Sequence, residues 1–426
     1  MKHTNEIIIA LFCALISMSN FTSQRVKAQD SENEQFYVLT SNIETLSTTL
    51  WEAEVSSRSL HEIYSIDSTE SVSPRSDFPV DEITDLDSAQ SAGSVPLINP
   101  DGTGFFQHIS GAWLVDTQEI LVLEQNEVCD RVNGGYCYGY YDFVLVDMVS
   151  GQATSLYKLS YHGSIFDSWE CIFQRGLVVN QVLPNPVHDQ VAVEVKAFDC
   201  SSETKQPAAG IIIDFSNATA QITNLPQAAG LSWSPDGSYL AYFVRPACLT
   251  SDIMSVNVLP VNPDGQPITL RDEPQYCQNT MFVGWADNET VVYPWKPGSN
   301  DSEVPSEFFS HDITTNETST VDQERILFDN TLFRLADTED TVLLGNQYNG
   351  ELAAISTQDL SDVQSLSLGT NQVFYNSRFN QYMFTDLSDT DVLRVNADLS
   401  TNTIDLSSLM TQIPKERVFY ITPGHP

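Results

Sequence analysis

The segment Cys129-Asp130-Arg131-Val132-Asn133-Gly134-Gly135-Tyr136-Cys137-Tyr138-Gly139-Tyr140-Tyr141 concentrates the most distinctive chemistry of the chain. Asn-Gly supplies the positive backbone dihedrals of a two-residue hairpin turn, so Asn133-Gly134 predicts a tight β-hairpin. A bridge between Cys129 and Cys137 would staple it. On the strand that follows, the two-residue side-chain period puts Tyr136, Tyr138 and Tyr140 on one face, with Tyr141 beside them. Tyrosine offers a flat apolar body and a hydroxyl at small entropic cost, which is the chemistry of surfaces that bind peptides or sugars. Two readings stay open: a rigid binding protrusion presenting Tyr136, Tyr138, Tyr140 and Tyr141, or an outer strand covered by its neighbours, because aromatics are common on strands.

Catalytic and metal chemistry finds no local pattern. His-Glu-x-x-His, Gly-x-Ser-x-Gly and the phosphate-cradling Gly-Lys-Ser/Thr are all missing from the sequence. His61, His108, His162, His188, His311 and His425 are dispersed and are expected to be surface or hydrogen-bonded residues. No Cys-x-x-Cys and no histidine pair at ligand spacing supports zinc, and no alternating acidic loop with a distal Glu supports an EF-hand. No catalytic residue, metal ligand or cofactor is therefore assigned. The acidity leaves room for one cation, a calcium or sodium ion in a central channel.

Asp plus Glu number 57 against 19 Lys plus Arg, a net charge of −38. Phosphate backbones and anionic membrane surfaces require clustered cations, so neither nucleic acid nor such a membrane is an expected partner. A hydrophobic content of 41% is enough to build a core. At the start, Lys2 and His3 precede the apolar run Ile7 to Ile16 and a polar stretch ending in Val26-Lys27-Ala28, the pattern of a secretory signal cut after Ala28. That run falls short of the ~20 apolar residues of a membrane span, so no stable anchor is expected. The expectation is a secreted or periplasmic mature chain from Gln29 to Pro426. It keeps six cysteines, Cys129, Cys137, Cys171, Cys200, Cys248 and Cys277, an even number consistent with disulfides. Connectivity is not fixed by sequence; consecutive pairing is preferred because each bridge then closes a short local loop.

The elements that must carry these residues are strands. Short β-branched and aromatic runs alternate with Asn, Asp, Gly, Pro and Ser clusters, and no long segment keeps a helical apolar period. The clearest unit is Gly230-Leu231-Ser232-Trp233-Ser234-Pro235-Asp236-Gly237-Ser238-Tyr239-Leu240-Ala241-Tyr242-Phe243: a strand ending in Trp, a Pro-Asp-Gly turn and a second strand. Val283-Gly284-Trp285-Ala286-Asp287 and Gly111-Ala112-Trp113-Leu114-Val115-Asp116 open similar units, and weaker copies follow Leu183, Leu335 and Phe374. Units at this period mark radial repeats.

Trp233-Ser234-Pro235-Asp236-Gly237 followed by Leu240-Ala241-Tyr242-Phe243 resembles the repeat of TolB-type, WD-repeat-like β-propellers. The full motif occurs once; Trp113 to Asp116 keeps Trp-x-x-Asp and Trp285 to Asp287 a shorter form. The resemblance implies one four-stranded blade per copy, with Trp113, Trp233 and Trp285 at one shared structural position between blades, and Asp236 and Gly237 setting the turn. Six copies start near residues 104, 176, 230, 279, 326 and 372. The runs Phe36 to Leu39, Leu50 to Val55 and Leu60 to Tyr64 are left over at one end and Arg417 to Thr422 at the other. Combined, they complete a seventh blade and close the ring, with Arg417 to Ile421 as its inner strand. The expectation is thus an all-β, seven-bladed propeller filling 29–426, interrupted at Ser65 to Ile98 by an acidic, Ser-rich loop too polar to repay its ordering entropy. Its expected role is non-enzymatic binding, as a monomer, of a protein, peptide or glycan through loops on one face. The rival is a propeller lyase, lactonase or glycan hydrolase whose acidic residues converge on the channel.

Overall fold

The computed structural model describes residues 35–42, 47–54, 56–66, 104–130, 136–160, 177–197, 208–217, 219–244, 253–261, 265–274, 283–295, 307–321, 332–338, 341–346, 351–356, 363–367, 373–376, 381–385, 391–395, 401–413 and 416–423. They form seven four-stranded antiparallel sheets, the blades of a β-propeller. Blade 1 joins the two chain ends in the order β28 (Glu416–Pro423), β1 (Gln35–Asn42), β2 (Thr48–Glu54) and β3 (Ser59–Ile66). Blade 2 is β4 (Gly104–Leu114), β5 (Glu119–Asp130), β6 (Tyr136–Asp147) and β7 (Ala153–Ser160); blade 3 is β8 (Leu177–Pro184), β9 (Gln190–Ala197), β10 (Ala208–Asp214) and β11 (Gln221–Pro226). Blade 4 is β12 (Ala228–Trp233), β13 (Tyr239–Val244), β14 (Ile253–Pro260) and β15 (Ile268–Pro274); blade 5 is β16 (Gly284–Trp285), β17 (Thr290–Trp295), β18 (Glu307–Asp312) and β19 (Glu317–Val321). Blade 6 is β20 (Leu332–Thr338), β21 (Thr341–Asn346), β22 (Glu351–Ser356) and β23 (Val363–Ser367); blade 7 is β24 (Val373–Asn376), β25 (Gln381–Thr385), β26 (Asp391–Val395) and β27 (Thr401–Asp405). The closure expected from sequence is present: Phe36 pairs with Pro423 and Asn42 with Glu416. The one described helix, α1 (Ser407–Met410), lies between β27 and β28.

Strand alternation explains why the ring holds. On the second strand of each blade, successive residues point to opposite neighbours. Ile120 and Val122 pack with Tyr37, Leu39 and Leu50 of blade 1, while Leu121 and Leu123 pack with Val191, Val193 and Ile211 of blade 3. Leu240 and Tyr242 face blade 3; Ala241 and Phe243 face blade 5. Phe36 and Val38 meet Ile404, Leu406 and Leu409 across the closing interface. Each blade therefore needs apolar residues on both faces, which is why these strands read as continuous apolar runs.

The three repeat tryptophans do not share one position. Trp233 and Trp285 sit one residue before the turn, pair with Leu240 and Val291, and send Nε1 to the preceding blade's inner strand, at 2.9 Å from the Leu183 carbonyl and 3.1 Å from that of Ser232. Trp113 pairs with Leu121, one step further from its turn, so it faces the following blade. There its ring covers Gly111, where any Cβ would overlap the indole.

In blades 2 to 5, described residues of the turns between first and second strands, and between third and fourth, meet at one end of the ring. Met148 N donates to the Gln118 carbonyl, Phe215 N to Asp189, Val261 N to Ser238 and Ile313 N to Glu289. Aspartates close these turns: Asp116 Oδ1 accepts from the Gln118 and Glu119 amides, Asp287 Oδ1 from Glu289 and Thr290, Asp147 Oδ1 from Val149 and Ser150, and Asp312 Oδ1 from Thr314 and Thr315. Turns also clasp across blades, through Asn185 Nδ2 to the Gly237 carbonyl at 3.0 Å and Asp236 N to Asn288 Oδ1 at 3.0 Å. The strand ends Ile66, Ser160, Ala197 and Trp295 lie at the other end.

These aspartates bind the fold's stability to pH. The Thr315 amide, with the Thr314 hydroxyl and amide, lowers Asp312 from 3.8 to about 2, and the Ser150 amide and hydroxyl lower Asp147. At Asp214 and Asp236 burial pushes upward, but hydrogen bonds from Ser216 and Gln190, and from Ser234 and Ser238, outweigh it and both pKa values fall. Groups lowered in the folded state contribute fully above the unfolded value and lose that contribution as pH falls through the folded one. Stability is expected to hold above pH ~4 and to decline toward pH ~2. Urea unfolding of wild type and Asp312→Asn across that window checks this; equal pH slopes for the two would contradict it.

Ser65 and Ile66 belong to β3, so the interrupting loop starts later than Ser65. The rest of Ser65–Ile98, the signal segment 1–28, and Cys171, Cys200, Cys248 and Cys277 lie outside the described residues.

Candidate functional site

β5 and β6 are the longest described strands at 12 residues each, and they form the predicted Tyr hairpin. Their register sets Cys129 opposite Cys137 and Asp130 opposite Tyr136. β4 follows β5 as far as Cys129, whereas β7 pairs with β6 only from Tyr140 onward. Among the described residues, 136–139 thus pair with β5 beyond the last pair of β6 with β7, at the end opposite the aspartate turns.

The root of the hairpin is buried. On the face toward blade 1, one cross-strand row is Ile109, Glu124, Asp142 and Lys158, and the next is Gln107, Asn126, Tyr140 and Ser160. Two carboxylates directly opposite each other repel, so they persist only with donors around them. Glu124, 5% exposed, accepts from the Tyr64 hydroxyl of blade 1 at 2.5 Å and from Gln107 Nε2 at 3.1 Å. Asp142 accepts from the Ser155 hydroxyl at 2.6 Å and stands 3.7 Å from Lys158 Nζ, which also lies 5.1 Å from the centre of the Tyr140 ring. Asn126 is buried, and among the described residues its Nδ2 has no hydrogen-bond partner. This row anchors the hairpin to blade 1. Each of the two carboxylates has a hydrogen-bond donor beside it.

The sequence-predicted tyrosines divide at this root. Tyr140 and Tyr141 are 7% and 5% exposed, Tyr141 packing with Phe143 and Val193 between blades 2 and 3. They have little ring surface to offer a ligand, which corrects the expectation that all four present themselves together. Tyr136 and Tyr138 lie at the start of β6; their side chains, like those of Cys129 and Cys137, are outside the described residues.

Buried carboxylates were the residues that local motifs missed. Glu194 repeats the theme between blades 3 and 4, accepting from the Gly230 amide at 2.7 Å and from Asn180 Nδ2 at 3.0 Å. The signal is an acid closing an otherwise apolar run, as in Leu121-Val122-Leu123-Glu124 and Val191-Ala192-Val193-Glu194. Among the histidines, His311 is buried between blades 4 and 5 with Nδ1 2.7 Å from the Thr318 hydroxyl, and burial pushes its pKa below 6.5, so it is neutral at pH 7. Among the described residues no three His, Cys, Asp or Glu side chains are grouped to hold a metal ion, and no helix is long and apolar enough to cross a membrane.

No protein-family model matches the chain, and no curated protein matches it. Solved structures similar to it include a nidogen–laminin complex, at 10% identity and TM-score 0.38, covering 75% of this chain and 98% of that one. An acylaminoacyl peptidase of Pyrococcus horikoshii is similar at 8% identity and TM-score 0.42, over 70% of this chain and 46% of the peptidase. The propeller domain of the Trilobed protease of Pyrococcus furiosus is similar at 6% identity and TM-score 0.43, over 70% and 83%. The likeness is one of architecture alone, and says nothing of the site.

Proposed function

We propose that this chain is an exported, non-enzymatic recognition propeller that binds a protein, peptide or glycan through the face on which the β5–β6 hairpin stands. The observation that carries this reading is the length of the hairpin: β5 and β6 stay paired over 12 residues without a register shift, and the hairpin is rooted by a buried polar row tied to blade 1. A protrusion held rigidly at its base loses little entropy when it binds. Tyr136 and Tyr138 are its contact residues, and a Cys129–Cys137 bridge would stiffen its tip. The Trp-Ser-Pro-Asp-Gly turn of blade 4 supports grouping the ring with TolB-type propellers.

Peptide and glycan arrays probed with wild type and with Tyr136→Ala/Tyr138→Ala test the proposal. Binding that falls roughly tenfold or more in the double variant, with an unchanged melting temperature, is expected, as for aromatic anchors of an interface. Undiminished binding in that variant would move the site away from the hairpin.

A further inference from the structure

We infer that the seam between blades 4 and 5 is an acid-responsive joint, and that His311 is the group through which protons loosen it. His311 sits on β18 opposite Val291 of β17 and Thr318 of β19, and Val291 belongs to the apolar core that blade 5 shares with blade 4. The side chain is 3% exposed. A neutral imidazole is provided for: Nδ1 lies 2.7 Å from the Thr318 hydroxyl, which can donate or accept to suit the tautomer. An imidazolium is not. It carries two N–H donors, and among the described residues Nε2 has no hydrogen-bond partner. A buried charged donor without an acceptor is far less favourable than a neutral ring in the same place.

The groups around the seam do little to offset that penalty. From blade 4, β13 brings Tyr239, β14 the apolar Met254, Val256 and Val258, and β15 Leu270 and Arg271. The Arg271 guanidinium lies 4.2 Å from the centre of the Phe309 ring, two residues along β18 from His311, and its charge has the sign of an imidazolium. Glu273 follows further along β15, opposite Met254. In blade 5, Tyr293 and Glu307 lie further along β17 and β18, Glu289 precedes β17, and Glu317 pairs with Asp312. Asp312 is the neighbouring acid, but its Oδ1 is engaged by the Thr314 and Thr315 amides. Burial outweighs Asp312 and the Asn316 side chain, which favour the charged form, and the pKa of His311 falls below 6.5. A group depressed in the folded state contributes fully above its unfolded value and loses that contribution as pH falls through the folded one. The window of His311 therefore begins near 6.5, above that of the aspartate turns, and Asp312, at about 2, stays ionised throughout it. Within that window protons favour local openings of the seam in which the ring reaches water, by up to about tenfold per pH unit.

Hydrogen exchange of the full chain, read by mass spectrometry at pH 7 and pH 5 and corrected for the pH dependence of the intrinsic rate, tests the joint. In the wild type, protection of peptides covering β17, β18 and β19 should fall roughly threefold or more between the two pH values, while that of β9 and β10 in blade 3 stays level. In His311→Gln the fall in blade 5 should vanish whatever the absolute protection, because the amide does not titrate and still offers Thr318 a hydrogen bond. An equal fall in the variant, unchanged protection in the wild type, or a fall of the same size in blade 3 each overturns the joint. Titration of the His311 ring by NMR in the wild type is a second measurement, independent of how well the variant folds. A midpoint below 6.5 is expected, and one at or above 6.5 overturns the joint as well.

Discussion

Deleting Glu416–Pro423 is expected to abolish the folded ring rather than merely lower its melting temperature. β28 is the inner strand of blade 1, paired to β1 from Phe36 to Asn42, and it also touches β24 of blade 7 and β4 of blade 2. Its removal strips one edge of β1 and opens the ring at two interfaces. With ~0.5–1.5 kcal/mol for each backbone hydrogen bond, and the contacts of β28 with β24 and β4 lost besides, the cost is of order 5–10 kcal/mol, comparable to the whole stability of a typical domain. A chain ending at Lys415 should therefore lack a cooperative thermal transition by calorimetry, and a synthetic peptide spanning 416–423 should restore it in trans. A truncated chain melting within a few degrees of the full one would show that the ring is closed elsewhere.

Gly237→Ala is expected to cost roughly 3–5 kcal/mol, far more than a one-methyl change at a surface turn. Gly237 has φ +69°, where an alanine costs ~1–2 kcal/mol. The new methyl would also overlap the Asn185 side chain. That side chain does two jobs: its Oδ1 accepts from the Val187 and His188 amides, both at 2.9 Å, and its Nδ2 donates to the Gly237 carbonyl. Displacing it undoes the turn of blade 3 as well as that of blade 4. Urea denaturation of Gly237→Ala, Asn185→Ala and the double variant separates strain from overlap. The double variant should cost less than the sum of the singles by ~1 kcal/mol or more; strict additivity would show that the clash is relieved without disturbing Asn185.

The ring was legible in the sequence because its determinants are local or come in copies. The Pro235-Asp236-Gly237 turn, the tryptophans before it and the leftover runs at both ends lead to seven blades and to their closure. Trp113 misled because its spacing to Asp116 equals that of Trp233 to Asp236. The turn of blade 2 closes from Val115 to Glu119, one residue shorter than that of blade 4 from Ser234 to Tyr239, and one residue reverses the face. Motif spacing does not report where a turn begins. The burial of Tyr140 and Tyr141 was illegible for another reason: what covers them arrives from neighbouring strands and blades, including Lys158 and Val193. The anchoring carboxylate of Glu124 needed its partner Tyr64, 60 residues away, before its role had meaning.

The two ends of the ring differ in a way that bears on how such a chain changes over time. At one end, short turns are stitched to each other within blades and across them, through Met148 to Gln118, Phe215 to Asp189 and Asn185 to Gly237. Substitutions there fall on stability. The Tyr136 end of the hairpin belongs to the opposite end, where added length costs only the slowly growing entropy of loop closure. Selection for robustness and selection for a new partner thus act on residues too far apart to interfere, and a change that strengthens the stitched end gives the other end freedom to vary.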